Sequence, residues 1–88
     1  MVCRDTQYER DEGMTPEVAA LLVQMTERFS AKLFLRCGGK QVLLETLIGL
    51  LSLDCPRGTR LTVVADGVDG PEAAEAVARL LEGRQGRA

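Results

Sequence analysis

The sequence predicts a single α+β domain, because segments with helical spacing are interleaved with segments typical of β-strands. From residue 16 to residue 28, apolar side chains recur every three or four positions, as they do in an amphipathic helix. Residues 60–65 are rich in β-branched side chains and are the strongest strand candidate. Because 88 residues can bury one modest core, we expect one domain.

The first helix has a well-marked start. Thr15 can cap it through its hydroxyl, and Pro16 suits the first helical position. Glu17 is favourable at the positive end of the helix dipole. The sequence therefore predicts a helix over residues 16–28 with Thr15 as its N-cap.

A β-hairpin and a short helix are predicted next. Two strand-like runs, residues 31–37 and 40–44, flank a pair of glycines that can form the turn. Residues 47–51 have the length of a short helix, with Thr46 near its N-cap. The strand at residues 60–65 is expected in the centre of the sheet.

A last helix is predicted after residue 69. Asp69 and Glu72 have the spacing of a capping box, and Gly83 can end the helix. We expect a domain of residues 1–83 and a flexible tail of residues 84–88. The helix would bury one apolar stripe, formed by Ala73, Val77, Leu80 and Leu81.

The first dozen residues alternate without an apolar face, which favours an edge strand. The resulting order is strand, helix, strand, strand, helix, strand, helix. Helices gathered on one face of an antiparallel sheet would bury all the apolar stripes.

Composition and charge exclude several classes of function. The net charge is −2 and the 11 Lys and Arg are scattered, so we expect no binding to nucleic acid. No apolar run approaches the roughly 20 residues of a bilayer span, and no apolar signal segment is visible, so we expect no membrane insertion and a cytoplasmic location.

The reactive side chains do not form a recognisable catalytic or metal site. The sequence contains no histidine, and Cys3, Cys37 and Cys55 are too widely spaced for a zinc motif. There is also no glycine-rich phosphate loop and no cysteine with a base beside it. We therefore expect three free thiols, no cofactor, no metal and no enzymatic activity.

The element order resembles that of the HPr family, the phosphocarriers of the bacterial phosphoenolpyruvate-dependent sugar phosphotransferase system. The resemblance spans nearly the whole chain, through residues 13–29, 45–53 and 58–82. Its most specific parts are residues 19–24 and 46–53. It implies an open-faced sandwich, in which three helices cover one face of a four-stranded antiparallel sheet.

The phosphocarrier motif of that family runs Gly-x-His-Ala-Arg-Pro-Ala and falls on residues 13–19. Here Thr15 occupies the histidine position and Glu17 the arginine position. A phosphate ester on threonine lacks the transfer potential of a phosphoramidate, and the carboxylate of Glu17 would repel a phosphoryl group. The resemblance therefore implies a chain that cannot carry phosphohistidine.

Thr46 matches a second position of the family, a serine that a dedicated kinase phosphorylates as a regulatory mark. The start of a helix is able to hold a phosphate, but Glu45 and Glu17 add like charge there. Thr46 is thus either a regulatory phosphorylation site or a plain N-cap.

Family members bind partners through the start of the first helix and the short second helix. The matching positions here are Ala20, Gln24, Leu47, Ile48 and Leu51. An apolar run of five residues cannot be buried on every side of a short helix, so at least two of its side chains should be exposed.

The leading hypothesis is therefore a regulatory or adaptor protein that binds phosphotransferase-system or regulatory proteins. The alternative is a switch that a kinase regulates through Thr46, linked to regulation of the phosphotransferase system. A third hypothesis is an HPr-derived structural or oligomerising module.

Overall fold

The computed structural model describes residues 1–11, 13–53 and 55–83, and within them the chain forms one four-stranded antiparallel sheet and three helices. The order of the elements and the fold class are those that the sequence predicts. The predicted tail, residues 84–88, lies outside the described residues. The elements are β1 (Val2–Gln7), α1 (Pro16–Thr26), β2 (Lys32–Cys37), β3 (Lys40–Leu43), α2 (Leu47–Leu51), β4 (Arg60–Asp66) and α3 (Gly70–Leu81).

Strand β4 lies in the interior of the sheet, whose strand order is β1-β4-β2-β3. It pairs with β1 on one edge and with β2 on the other, so that Val63 lies opposite both Arg4 and Leu35. The predictions of a central strand here and of an edge strand at the N-terminus are confirmed. Three alternate side chains of β4 enter the core, those of Leu61, Val63 and Ala65.

The three helices contribute the other side of the core. Helix α1 ends at Thr26, before the predicted end at residue 28. The backbone N–H groups of Glu27 and Arg28 bond to carbonyls three residues back, which tightens the last turn and stops the helix. The helices bury aliphatic side chains against the sheet, among them Val18, Leu22, Leu50, Val77 and Leu81.

The inner face of β1 is partly polar, which explains why no apolar face is visible in its sequence. Arg4 forms an ion pair with Glu75 of α3, with 3.0 Å between Nε and Oε1. The hydroxyl of Thr6 donates a hydrogen bond of 2.5 Å to Glu82. Helix α3 is therefore joined to the edge strand through side-chain hydrogen bonds as well as through apolar packing.

The predicted capping box at α3 is wrong. Asp69 occupies the N-cap position, but its side chain makes no cap hydrogen bond within the described part of the chain. Its carboxylate instead accepts the backbone N–H groups of Ser30, at 2.9 Å, and Ala31, at 2.8 Å. The Ser30 hydroxyl donates a third hydrogen bond of 3.3 Å.

This carboxylate joins the α1–β2 connection to the β4–α3 connection. The two connections approach closely, because a Cβ atom on Gly67 would lie 2.6 Å from the Cα atom of Ala31. The backbone amides just before β2 and those in the first turn of α3 thus compete for the Asp69 carboxylate. The amides before β2, which are distant in sequence, form the hydrogen bonds.

The pH dependence of stability tests the role of Asp69. Hydrogen bonds from the Ser30 backbone hold the pKa of Asp69 below its ordinary value of 3.8. A carboxyl group whose pKa is lower in the folded chain than in the unfolded chain stabilises the fold at pH values above its unfolded-state pKa. This stabilisation is lost as the pH falls through the folded-state pKa. We expect Asp69→Asn to lower the melting temperature at neutral pH, and the difference from the native chain to shrink below about pH 3.8.

Thermal unfolding followed by circular dichroism, from neutral pH to about pH 2, measures this difference. Asp66→Asn, at the exposed end of β4, is the matched control. A difference between Asp69→Asn and the native chain that stayed constant over the whole range would contradict the assignment.

Candidate functional site

The turn before α1 is fixed by the end of β1. Gly13 has a φ of +69°, in the left-handed region where other residues are strained. Tyr8, which is fully buried, donates its hydroxyl hydrogen bond to the carbonyl of Gly13. This contact anchors the turn that leads into α1.

Thr15 acts as the N-cap of α1, as the sequence predicts. Its Oγ1 accepts the N–H of Val18 at 3.2 Å, and its carbonyl accepts the N–H of Ala19 at 2.9 Å. Glu17 is exposed in the first turn of the helix. The Thr15 hydroxyl therefore has a structural partner, and the neighbouring charge of Glu17 is negative.

A cleft of about 380 Å³ lies next to Thr15, between the start of α1 and the segment after α2. Arg57 is the cation among its described lining residues. It already pairs with Asp11, at 2.6 Å, and with Glu9, at 3.6 Å. The cleft is therefore poorly suited to a phosphate, whose charge would meet a guanidinium that two carboxylates already neutralise. Its described lining residues are Asp11, Gly13, Met14, Leu53, Cys55, Pro56 and Arg57.

Thr46 holds the N-cap position of α2, as the sequence predicts, but within the described residues its hydroxyl does not make the cap hydrogen bond. Its carbonyl accepts the N–H of Leu50 at 3.0 Å, whereas its side chain makes no cap hydrogen bond within the described residues. The backbone angle ψ is 101° at Thr46 and 165° at Thr15, so the two residues lead into their helices differently. The Thr46 residue is exposed to solvent.

The apolar run of α2 divides into one buried and three exposed side chains. Leu50 is 0% exposed and stabilises the fold by about 2 kcal/mol through burial. Leu47, Ile48 and Leu51 are 43%, 81% and 38% exposed. The prediction that at least two of these side chains face solvent is confirmed.

Helix α1 adds a further exposed aliphatic side chain. Leu21 is 42% exposed, although it is one of the apolar residues whose spacing predicts the helix. It lies one turn from Glu17 and from Gln24, and these polar neighbours at i−4 and i+3 are the signal that identifies the solvent face. Ala20 and Gln24 are also exposed.

Helices α1 and α2 pack against each other, so their exposed side chains lie on the same, helical side of the molecule. An aliphatic surface that spans two helices differs from the single exposed apolar residues that are normal on proteins. We refer to it as the α1–α2 face, and its members are Ala20, Leu21, Gln24, Leu47, Ile48 and Leu51.

Metal ligands, helix length and thiol exposure bear on other kinds of site in the described part of the chain. Residues 1–11, 13–53 and 55–83 contain no group of three metal-ligating side chains. None of the helices in those ranges is both long and apolar enough to cross a membrane. The thiols differ in exposure, because Cys3 is exposed, Cys37 is half-buried and Cys55 is buried.

Comparison with known proteins defines the class to which this fold and site belong. The family model described as the PTS HPr component phosphorylation site matches residues 4–83. The chain belongs to the HPr family.

Among curated relatives, the HPr-like protein Crh of Bacillus subtilis is 35% identical over 82 residues, which are 93% of this chain and 96% of Crh. The HPr-like protein Crh of Halalkalibacterium halodurans is 33% identical over 82 residues, 93% of this chain and 98% of that one. The crystal structure of the phosphocarrier protein HPr from Bacillus anthracis superposes with a TM-score of 0.85 at 34% identity, covering 91% of this chain and 95% of that chain.

The structural role of Thr15 can be measured. Thr15→Ala removes the acceptor of the Val18 N–H, so we expect it to lower the free energy of unfolding by about 1 kcal/mol. Thr15→Ser keeps an acceptor and should stay within about 0.5 kcal/mol of the native value. Urea denaturation measures both changes.

Thr46→Ala is the matched control, because the Thr46 hydroxyl makes no cap bond among the described residues. We expect it to change the free energy of unfolding by less than about 0.5 kcal/mol. Equal losses for Thr15→Ala and Thr46→Ala would contradict the difference between the two caps.

Proposed function

We propose that this chain is a regulatory or adaptor protein of the HPr family that binds protein partners through the α1–α2 face and carries no phosphohistidine. The observation that carries the proposal is the exposure of aliphatic side chains on α2, above all Ile48 at 81%. The curated relatives support it, since both are named HPr-like protein Crh. A solution structure of Crh from Bacillus subtilis is described as that of the catabolite repression HPr.

The chemistry of the site argues against phosphate transfer and against catalysis. The sequence holds no histidine, so the high-energy phosphoramidate has no place to form. Thr15 uses its hydroxyl oxygen to cap α1, and Arg57 is already paired with two carboxylates. The site retains the exposed aliphatic side chains of the α1–α2 face, and such a surface acts by binding other proteins.

The α1–α2 face has the composition of a docking surface. Protein interfaces place apolar side chains at the centre and polar side chains at the rim. Here Leu47, Ile48 and Leu51 are exposed together with Leu21, and Glu17 and Gln24 lie beside them on α1. Burying these side chains against a partner would recover hydrophobic free energy that the isolated chain leaves unused, about 25 cal/mol for each Å².

Capture of partners from an extract of the native host tests the proposal. We expect Ile48→Ala to weaken capture of the cognate partner by at least about fivefold, since a central apolar side chain is lost. The free energy of unfolding should change by less than about 0.5 kcal/mol, because Ile48 is mostly exposed. Mass spectrometry and a binding isotherm for the captured protein provide the readout.

Val68→Ala is the matched control. Val68 is an apolar residue with 92% exposure in the connection before α3, and it is not a member of the α1–α2 face. Capture should be unaffected by this change. Partners that bound Ile48→Ala as tightly as the native chain would overturn the proposed docking face.

The alternative function is a switch controlled by phosphorylation of Thr46. It is favoured by one observation, that Thr46 is exposed and its hydroxyl makes no cap bond within the described residues. The carboxylate of Glu45 beside it opposes the added charge. Thr46→Ala separates the two functions, because a constitutive adaptor keeps its regulation of the partner in this variant and a switch loses it.

We also propose a cellular setting for this chain. Partners are expected among phosphotransferase-system or regulatory proteins, and the chain is expected to act in the cytoplasm as a binding protein with no enzymatic activity.

A further inference from the structure

Charge is distributed unevenly along this chain. The segments 11–27 and 41–56, which contain α1 and α2, carry six carboxylates and no Lys or Arg. All 11 basic residues lie outside these two segments. The six acidic residues are Asp11, Glu12, Glu17, Glu27, Glu45 and Asp54.

Three of these carboxylates are exposed and have no ion pair among the described residues. They are Glu17 and Glu27 on α1 and Glu45 before α2. Glu75 on α3, in contrast, pairs with both Arg4 and Arg79. Charge that is left uncompensated on one side of a small protein is available to an incoming surface.

Helical geometry places these carboxylates around the α1–α2 face. Glu17 and Glu27 are separated by ten positions, about 15 Å along α1, and the exposed Leu21 lies between them. Glu45 precedes α2, where Leu47 and Ile48 are exposed. The aliphatic centre is thus flanked by carboxylates at both ends of α1 and at the start of α2.

We infer that the α1–α2 face takes a basic partner, a protein surface in which exposed aliphatic side chains are surrounded by Lys or Arg. This inference rests on the proposed docking function and adds the charge of the partner to it. Complementary charge speeds association and fixes orientation, whereas an acidic rim on the partner would be repelled. Because the carboxylates are exposed, salt weakens the attraction.

Two designed helical peptides test the inference. Both carry the same leucine face, and one has Lys and Arg around it where the other has Glu. Each is titrated into the ¹⁵N-labelled chain while backbone amide shifts are followed by NMR, at low and at physiological salt. The variants are the double substitution Glu17→Gln with Glu45→Gln, and Glu72→Gln on α3 as the matched control outside the face.

We expect the basic peptide to shift amides of α1 and α2 and to bind less tightly at physiological salt. The Glu17→Gln, Glu45→Gln double variant should weaken it by about threefold or more, and Glu72→Gln should leave it unchanged. The acidic peptide should bind at least about tenfold more weakly than the basic one.

Three outcomes overturn the inference. Equal binding of both peptides at the α1–α2 face leaves the docking function intact and removes the role of charge. Shifts that concentrate on α3 with the basic peptide place the attraction elsewhere. If neither peptide shifts the amides of α1 or α2, the face does not recognise a basic rim. Comparison of partner capture by the Ile48→Ala variant and by the native chain then tests the docking function independently.

Discussion

The pairing of β4 along both of its edges is the constraint on which the rest of this structure depends. Its neighbours β1 and β2 lie far from it in sequence and do not pair with each other, so β4 is what joins the N-terminal strand to the hairpin. Tyr8, at the end of β1, bonds through its N–H to Thr59 and through its hydroxyl to Gly13. The pairing of β4 with β1 therefore determines where α1 lies, and with it the candidate site.

The sequence predicted most of the fold because its strongest signals are local. Pro16 with Thr15 marks a helix start, and the paired glycines mark a hairpin. It failed where partners distant in sequence compete with local ones. Asp69 has the spacing of a capping box, but the amides of Ser30 and Ala31 take its carboxylate, and no pattern within the α3 segment records that contact.

The candidate site was predictable in its identities and less so in its geometry. Resemblance to the HPr family indicated Thr15, Thr46 and the exposed run of α2. The sequence also predicted the cap by Thr15, but not that the Thr46 hydroxyl makes no cap bond among the described residues. Leu21 was missed as a surface residue because helical spacing alone does not separate it from the buried apolar residues of α1. Its polar neighbours at i−4 and i+3 show how a single helix can present aliphatic groups to the core and to solvent at once.

A fold can be kept without the reactive group of its site, because the scaffold and the reactive group depend on different residues. Incubation with phosphoenolpyruvate and enzyme I, followed by intact-mass analysis, tests most directly whether this chain has the HPr fold without accepting phosphate. We predict no phosphate adduct, since Thr15 cannot form a phosphoramidate. A stoichiometric adduct formed from phosphoenolpyruvate would contradict the central claim that the HPr scaffold here serves for binding alone.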